Sequence, residues 1–163
     1  MGRRVFFSFH YKPDNWRASQ VRNIGAIEGN TPVTDNDWEE IKRGGDREIK
    51  RWINDQLKNR SCTVVLIGEK TAGRKWIKHE IKESWEQGKG VVGICIHNLK
   101  NKDGVQSKKG RNPFDDFTIN GEKLSSIVKL YDPPYSRSTN VYSYIKNNIT
   151  DWTEEAIEIR KQY

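Results

Sequence analysis

Two apolar runs constrain this chain more than anything else in it: Cys62-Thr63-Val64-Val65-Leu66-Ile67-Gly68 and Val91-Val92-Gly93-Ile94-Cys95-Ile96. Each is short, rich in β-branched residues and nearly free of polar positions, so neither reads as a strand with one wet face. Runs of this kind are strands covered on both sides, which calls for helices on both faces of a mainly parallel sheet. Between them, the stretch from about Arg74 to Gln87 places Ile77, Ile81 and Trp85 on one helical stripe and stops at Gly88. Strand, crossover helix and strand make a βαβ unit.

The pattern extends in both directions. Arg4 to Phe9 is a first strand that opens onto a loop at Ser8, His10 and the Lys12-Pro13-Asp14 turn. Asp14 or Asn15 caps a helix through about Glu28, with Trp16, Val21, Ile24 and Ile27 turned inward and Gly29-Asn30 as its stop. Thr31 to Asp35 reads as a short second strand, and Asp46 to Lys58 as an amphipathic helix on Ile49, Trp52, Ile53 and Leu57. Asn98 to Lys123 loses all periodicity and is expected to be a basic surface excursion. Ser126 to Tyr131 is a last strand before Pro133-Pro134, and a closing helix over about 138–160 runs through Val141, Ile145, Ile149 and Trp152. The expected architecture is a flavodoxin-like, doubly wound, mainly parallel sheet of five strands with helices on both faces, in one domain over residues 1–163.

Composition excludes several classes. Hydrophobic residues make up 34% and charged ones 31%, so the six Trp, six Tyr and five Phe must supply much of the buried area. No apolar run approaches the roughly 20 residues that span a bilayer, and Met1-Gly2-Arg3-Arg4 leads into a strand rather than a signal peptide, which makes cytoplasm the expected location. Cys62 and Cys95 lie inside apolar runs and read as reduced core residues, not as a disulfide or metal set. A net charge of +7 admits nucleic acid, an acidic membrane surface or a pyrophosphate as partner. The basic residues are interspersed with 22 acids, and the densest group, Lys100 to Arg111, has no interleaved aromatics, so a solvated surface is favoured over a nucleic-acid site.

A site emerges at the start of the crossover helix. In Trp76-Ile77-Lys78-His79-Glu80-Ile81 a tryptophan and a carboxylate four apart share one stripe, close behind a polar loop from Glu69 to Lys75. Ligands of open α/β sheets collect where such loops leave the carboxyl ends of strands, which also brings in Ser8, Phe9 and His10 at the end of the first strand. Glu80 competes with a plain reading as a solvated carboxylate near Lys78 and Lys82, and Trp76 with a reading as core beside Ile77 and Ile81. Glu83 and Glu86 read as solvated. No Ser or Cys pairs with His10 as a nucleophile. Asp35, Asp37, Glu39 and Glu40 are read as dipole partners at a helix start rather than as a Mg²⁺ site, and no metal is assigned.

Taken together, Val5-Phe6-Phe7-Ser8-Phe9-His10, Cys62 to Gly68, Arg74-Lys75-Trp76-Ile77-Lys78-His79-Glu80-Ile81 and Gly110-Arg111-Asn112-Pro113-Phe114 resemble the TIR-like family typified by the signalling protein of the bacterial Thoeris antiphage system. The likeness covers most of the chain to about Phe114. It implies a TIR fold and cleavage of NAD at the nicotinamide–ribose bond, with Glu80 as the catalytic residue and Ser8, Phe9, His10 and Trp76 against the substrate. It implies further a cyclic ADP-ribose-like product that activates a separate effector protein after a phage-derived trigger, and it leaves room for self-association between TIR-like domains. NAD enters as a substrate and not as a cofactor, since neither a Walker A sequence nor GxGxxG is present. Nicotinamide departs as a neutral ring from a cationic one and needs no general acid, so one carboxylate facing an oxocarbenium-like ribose suffices. The rival readings are a non-catalytic TIR-like interaction module and, behind it, a basic nucleic-acid-binding α/β domain.

Overall fold

The computed structural model describes residues 3–31 and 35–163. Its central sheet is parallel in the order β1-β2-β3-β6, built from Val5–Phe9 (β1), Cys62–Ile67 (β2), Gly90–Cys95 (β3) and Leu130–Tyr131 (β6). Every residue of β2 and β3 is buried, as apolar runs without a wet face require. Register places Phe9 beside Leu66 and Leu66 beside Ile94, so the carboxyl ends of the first three strands finish together.

Helices close both faces. Tyr11–Arg22 (α1) and Ser138–Lys161 (α5) cover the side where Val5, Phe7, Val64, Leu66, Val92 and Ile94 meet Val21, Ile145 and Ile149. On the other side Lys75–Glu86 (α4) lays Ile77, Ile81 and Trp85 against Val65, Ile67 and Val91, and Gly45–Leu57 (α3) lays Ile49, Ile53 and Leu57 against Phe6. A further helix, Asp35–Arg43 (α2), precedes α3. Alternate residues of β1 thus serve different cores, the period-2 consequence of a strand buried on both sides.

The fifth expected strand is missing among the described residues. Residues 32–34 of the segment Thr31 to Asp35 lie outside the description, and Asp35 opens α2. The chain does return along β1, where Val5 N–H donates to Glu28 C=O at 2.7 Å and Glu28 N–H to Arg3 C=O at 2.9 Å. One step further the Asn30 side-chain oxygen takes the Phe7 N–H at 3.0 Å, so a side chain replaces the backbone partner that a strand would have supplied. Among the described residues the ladder ends there.

Three other expectations need correction. The first helix begins at Tyr11 and ends at Arg22, earlier at both ends than the span from Asp14 to Glu28, and Trp16 faces solvent at 51% exposure. Asp14 and Arg17 are buried instead. Arg17 pairs with Asp14 at 2.9 Å and donates to the carbonyls of Leu99 and Val105, which pins the loop after β3 to α1. Burial pushes the Asp14 carboxyl up, against the pull of Arg17. The segment from Asn98 to Lys123 is also more than an excursion: after a basic loop it forms a 3₁₀ turn, Pro113–Asp116, and a hairpin of Thr118–Ile119 (β4) and Glu122–Lys123 (β5). Phe114 is fully buried, over Gly93, where any side chain on β3 would collide with its ring. The last strand shrinks to two residues because Leu124–Ser126 turns as 3₁₀ and sends Ile127 and Val128 into the core.

Glycine at position 90 sets the spacing of α5. A Cβ built there would lie 2.8 Å from the backbone carbon of Ala156, and helix backbone cannot rotate aside as a side chain can. Gly90→Ala is expected to destabilise the fold by roughly 1–3 kcal/mol, read as a lower urea midpoint at unchanged m-value. Gly88→Ala is not an equivalent control, because its φ of +77° strains alanine by itself.

Candidate active site

The predicted residues converge on the carboxyl edge of the sheet. Glu80 is the sixth residue of α4, one turn after Trp76, and is 8% exposed although it carries a carboxyl group. Its Oε1 accepts a 2.6 Å hydrogen bond from Ser8 Oγ, a contact that spans 72 residues of sequence. The backbone behind it is fixed as well. Glu80 C=O accepts from Ser84 Oγ at 2.6 Å, and Ser84 Oγ lies 2.6 Å from Thr63 Oγ1 on β2. Three elements, β1, β2 and α4, therefore hold one carboxyl group.

That group opens into a cleft of ≈1650 Å³. Ligand pockets of ordinary small molecules fall near ~300–1,000 Å³, so the space suits a longer ligand such as a dinucleotide. Aromatic rings line one part: Phe9, Trp38, Trp52 and Trp76. Trp38 and Trp52 meet edge to face at 5.9 Å, and Trp52 meets Phe6 at 6.4 Å. Trp76 rests on the α3 core while its ring borders the cleft, with Lys75 Nζ 4.8 Å from the ring centroid. Packing and cleft lining coexist in this residue. Lys70, Arg74, Arg22 and Lys42 add positive charge around the walls, opposed by Glu39 and Asp103.

Electrostatics sort the titratable groups. Burial pushes the Glu80 carboxyl up to about 8, and the Ser8 hydrogen bond holds it below where burial alone would send it. At neutral pH Glu80 is thus largely protonated, where the mechanism implied by the resemblance calls for a carboxylate. A cation placed beside it would draw the proton off, since an opposite charge within about 4–6 Å favours the carboxylate. His10 goes the other way, down to about 4, through burial first and then through Arg74 and Lys70. It is a neutral imidazole at physiological pH, chiefly because it is buried, with Arg74 and Lys70 adding to the same effect.

Phe9, His10 and Trp76 border the cleft, as expected of residues at strand and helix ends. Ser8 does not: it is 1% exposed, and its hydroxyl is committed to Glu80, so it reaches a ligand through that carboxyl rather than by contact. Sequence reading missed Trp38, Arg74, Lys70 and Arg22. Trp38 stands inside the acidic cluster read as helix-dipole partners, and in the polar loop from Glu69 to Lys75 no cation is singled out as facing a ligand. Among the described residues, no set of side chains spaced to hold a metal includes Glu80.

Comparison with known proteins identifies the family. A family model described as Thoeris protein ThsB, TIR-like domain, matches residues 6–101, a stretch that contains Ser8, Trp76 and Glu80. A relative from Bacillus cereus (strain MSX-D12), named "Putative cyclic ADP-D-ribose synthase ThsB1", is 42% identical over 133 residues, covering 76% of this chain and 69% of its own length. A buried acid beside a tryptophan at the carboxyl edge of a parallel sheet, on a sequence matched over more than half its length, places the chain in the Thoeris ThsB TIR-like family.

Proposed function

We propose that this chain cleaves NAD at the nicotinamide–ribose bond and closes the ADP-ribose into a cyclic signal of antiphage defence, which acts on a separate effector protein. The observation that carries the reading is a carboxyl group held by Ser8 at 2.6 Å inside a cleft whose walls are aromatic and basic. Each part answers to one piece of the substrate. Trp76 and the neighbouring rings suit the flat nicotinamide, and Lys70 and Arg74 suit the pyrophosphate.

The reaction breaks the C1′–N bond, and its electron pair neutralises the nicotinamide ring. Positive charge passes to ribose C1′ and O4′, where the Glu80 carboxylate stabilises it in a site with little competing water. An adenine or ribose atom of the same molecule then attacks C1′ to give the cyclic product, and the proton lost from that nucleophile leaves to solvent or to Glu80. Water in its place would give linear ADP-ribose. A cleft with volume enough to hold the whole dinucleotide favours the internal nucleophile.

The test is incubation of the activated protein with NAD, with nicotinamide followed by chromatography and the second product by mass. Cyclic ADP-ribose lacks one water relative to the linear form. Equimolar nicotinamide and a cyclic product support the reading; a triggered preparation that still leaves NAD intact contradicts it and returns the chain to an interaction module. Arg74→Ala should raise KM for NAD about tenfold while changing kcat less, because its charge contacts a part of the substrate that does not react. Steady-state kinetics at two salt concentrations measure this, the variant showing the weaker salt dependence.

A further inference from the structure

Away from the cleft, a second cluster forms where β3 and β6 end. Cys95 closes β3, His97 follows two residues later, and Asp132 follows β6. Their ligand atoms all lie within 4.8 Å of one another. Cys95 and His97 are 2% and 7% exposed, while Asp132 faces solvent and leaves a path inward. His97 Nδ1 is buried with no hydrogen-bond partner among the described residues, a costly state for a ring nitrogen unless something occupies it. Asp132 is meanwhile paired with the Lys109 ammonium at 3.0 Å.

We propose that Cys95, His97 and Asp132 form a binding site for a divalent transition-metal ion of the zinc type. Sulfur, imidazole nitrogen and carboxylate oxygen are the three donor types that zinc accepts, and three protein ligands leave a fourth position open toward the solvent side. Charge closes as well. On binding, the Cys95 S–H gives its proton to solvent, the thiolate and the Asp132 carboxylate together carry two negative charges, and the ion carries two positive ones. Lys109, which now balances Asp132, swings out with its charge intact; its side chain is 60% exposed and free to do so. The ion would join two neighbouring strand ends to the loop after β3, whose Ser107 N–H donates to His97 C=O at 2.9 Å and whose residues 101–103 border the cleft.

The experiment uses the full chain stripped with chelator, titrated with Co²⁺ and then with Zn²⁺. Expected are one Co²⁺ per chain, a sulfur-to-cobalt charge-transfer band, displacement by Zn²⁺, and a raised melting temperature in its presence. Asp132→Asn, on a solvent-facing residue that should fold normally, weakens binding by ~10-fold or more. Lys109→Met strengthens it severalfold, because the competing cation is gone. Cys62→Ala, at the far end of the neighbouring strand, leaves the cobalt band unchanged. Absence of the thiolate band, or binding indifferent to both Asp132→Asn and Lys109→Met, would overturn the assignment. None of these readouts depends on NAD cleavage.

Discussion

Glu80→Gln lowers NAD turnover by about 10²–10³ while the protein stays folded. Glutamine keeps the shape and can still accept the Ser8 hydroxyl at the position where Oε1 now lies, so the variant removes charge and little else. Charge is what the ribose demands as its bond to nicotinamide breaks, and loss of one principal electrostatic contact in a shielded site typically costs this much. Affinity for NAD should fall less than the rate, because the full positive charge on ribose exists only near the transition state. Glu83→Gln is the internal control. Its side chain is half-buried, is not part of the cleft wall and takes a weak hydrogen bond from Gln87, at 3.5 Å, so turnover should hold within about twofold. Single-turnover nicotinamide release and thermal unfolding of each variant measure the two halves. Full activity in Glu80→Gln would remove Glu80 from the mechanism.

What was legible in the sequence follows from what is local. The runs Cys62 to Gly68 and Val91 to Ile96 announced buried parallel strands because burial on both faces leaves no polar position to mistake. Trp76 and Glu80 announced themselves by a spacing that a helix converts into a shared stripe. The errors lie where a contact joins distant residues. Asn30 lends a side-chain oxygen to Phe7 on the β1 edge, a contact across 23 residues that no local propensity can foresee. Phe114 enters the core because Gly93 leaves room for it, 21 residues earlier in the chain and in what read as pure strand. Buried Arg17 defied its residue type because it satisfies carbonyls of a loop more than 80 residues away. Ser8 was assigned to the substrate since a strand end is where ligands gather, yet its hydroxyl faces Glu80 across the sheet edge. The cluster of Cys95, His97 and Asp132 was hidden for the same reason: its third member arrives on a different strand end.

The same glutamate should make the protein less stable as pH rises toward 8. In the folded chain its carboxyl is held at about 8, against 4.5 when exposed, so between those values the native state keeps a proton that the unfolded state has released. The stability contribution is therefore whole below about 4.5, falls as pH climbs through the window and is flat above about 8. His10 opposes this over part of the range. Its imidazole is held at about 4 against 6.5 when exposed, so stability from His10 grows with pH up to about 6.5 and then stops changing. From pH 6.5 to 8 the Glu80 effect stands clear of it, and one retained proton corresponds to a loss of about 2 kcal/mol over that interval. Urea unfolding at half-unit pH steps should show the fall in the wild type and none in Glu80→Gln, which becomes the more stable protein at pH 8. Catalysis runs in the opposite direction: kcat/KM rises toward about pH 8 as the free protein gains its carboxylate. Ser8→Ala links the two. Without the hydroxyl that holds the carboxyl down, the rise in kcat/KM moves to higher pH and the stability loss extends with it. A wild-type stability flat from 6.5 to 8, or an equal fall in Glu80→Gln, would mean that the buried carboxyl does not carry the proton assigned to it.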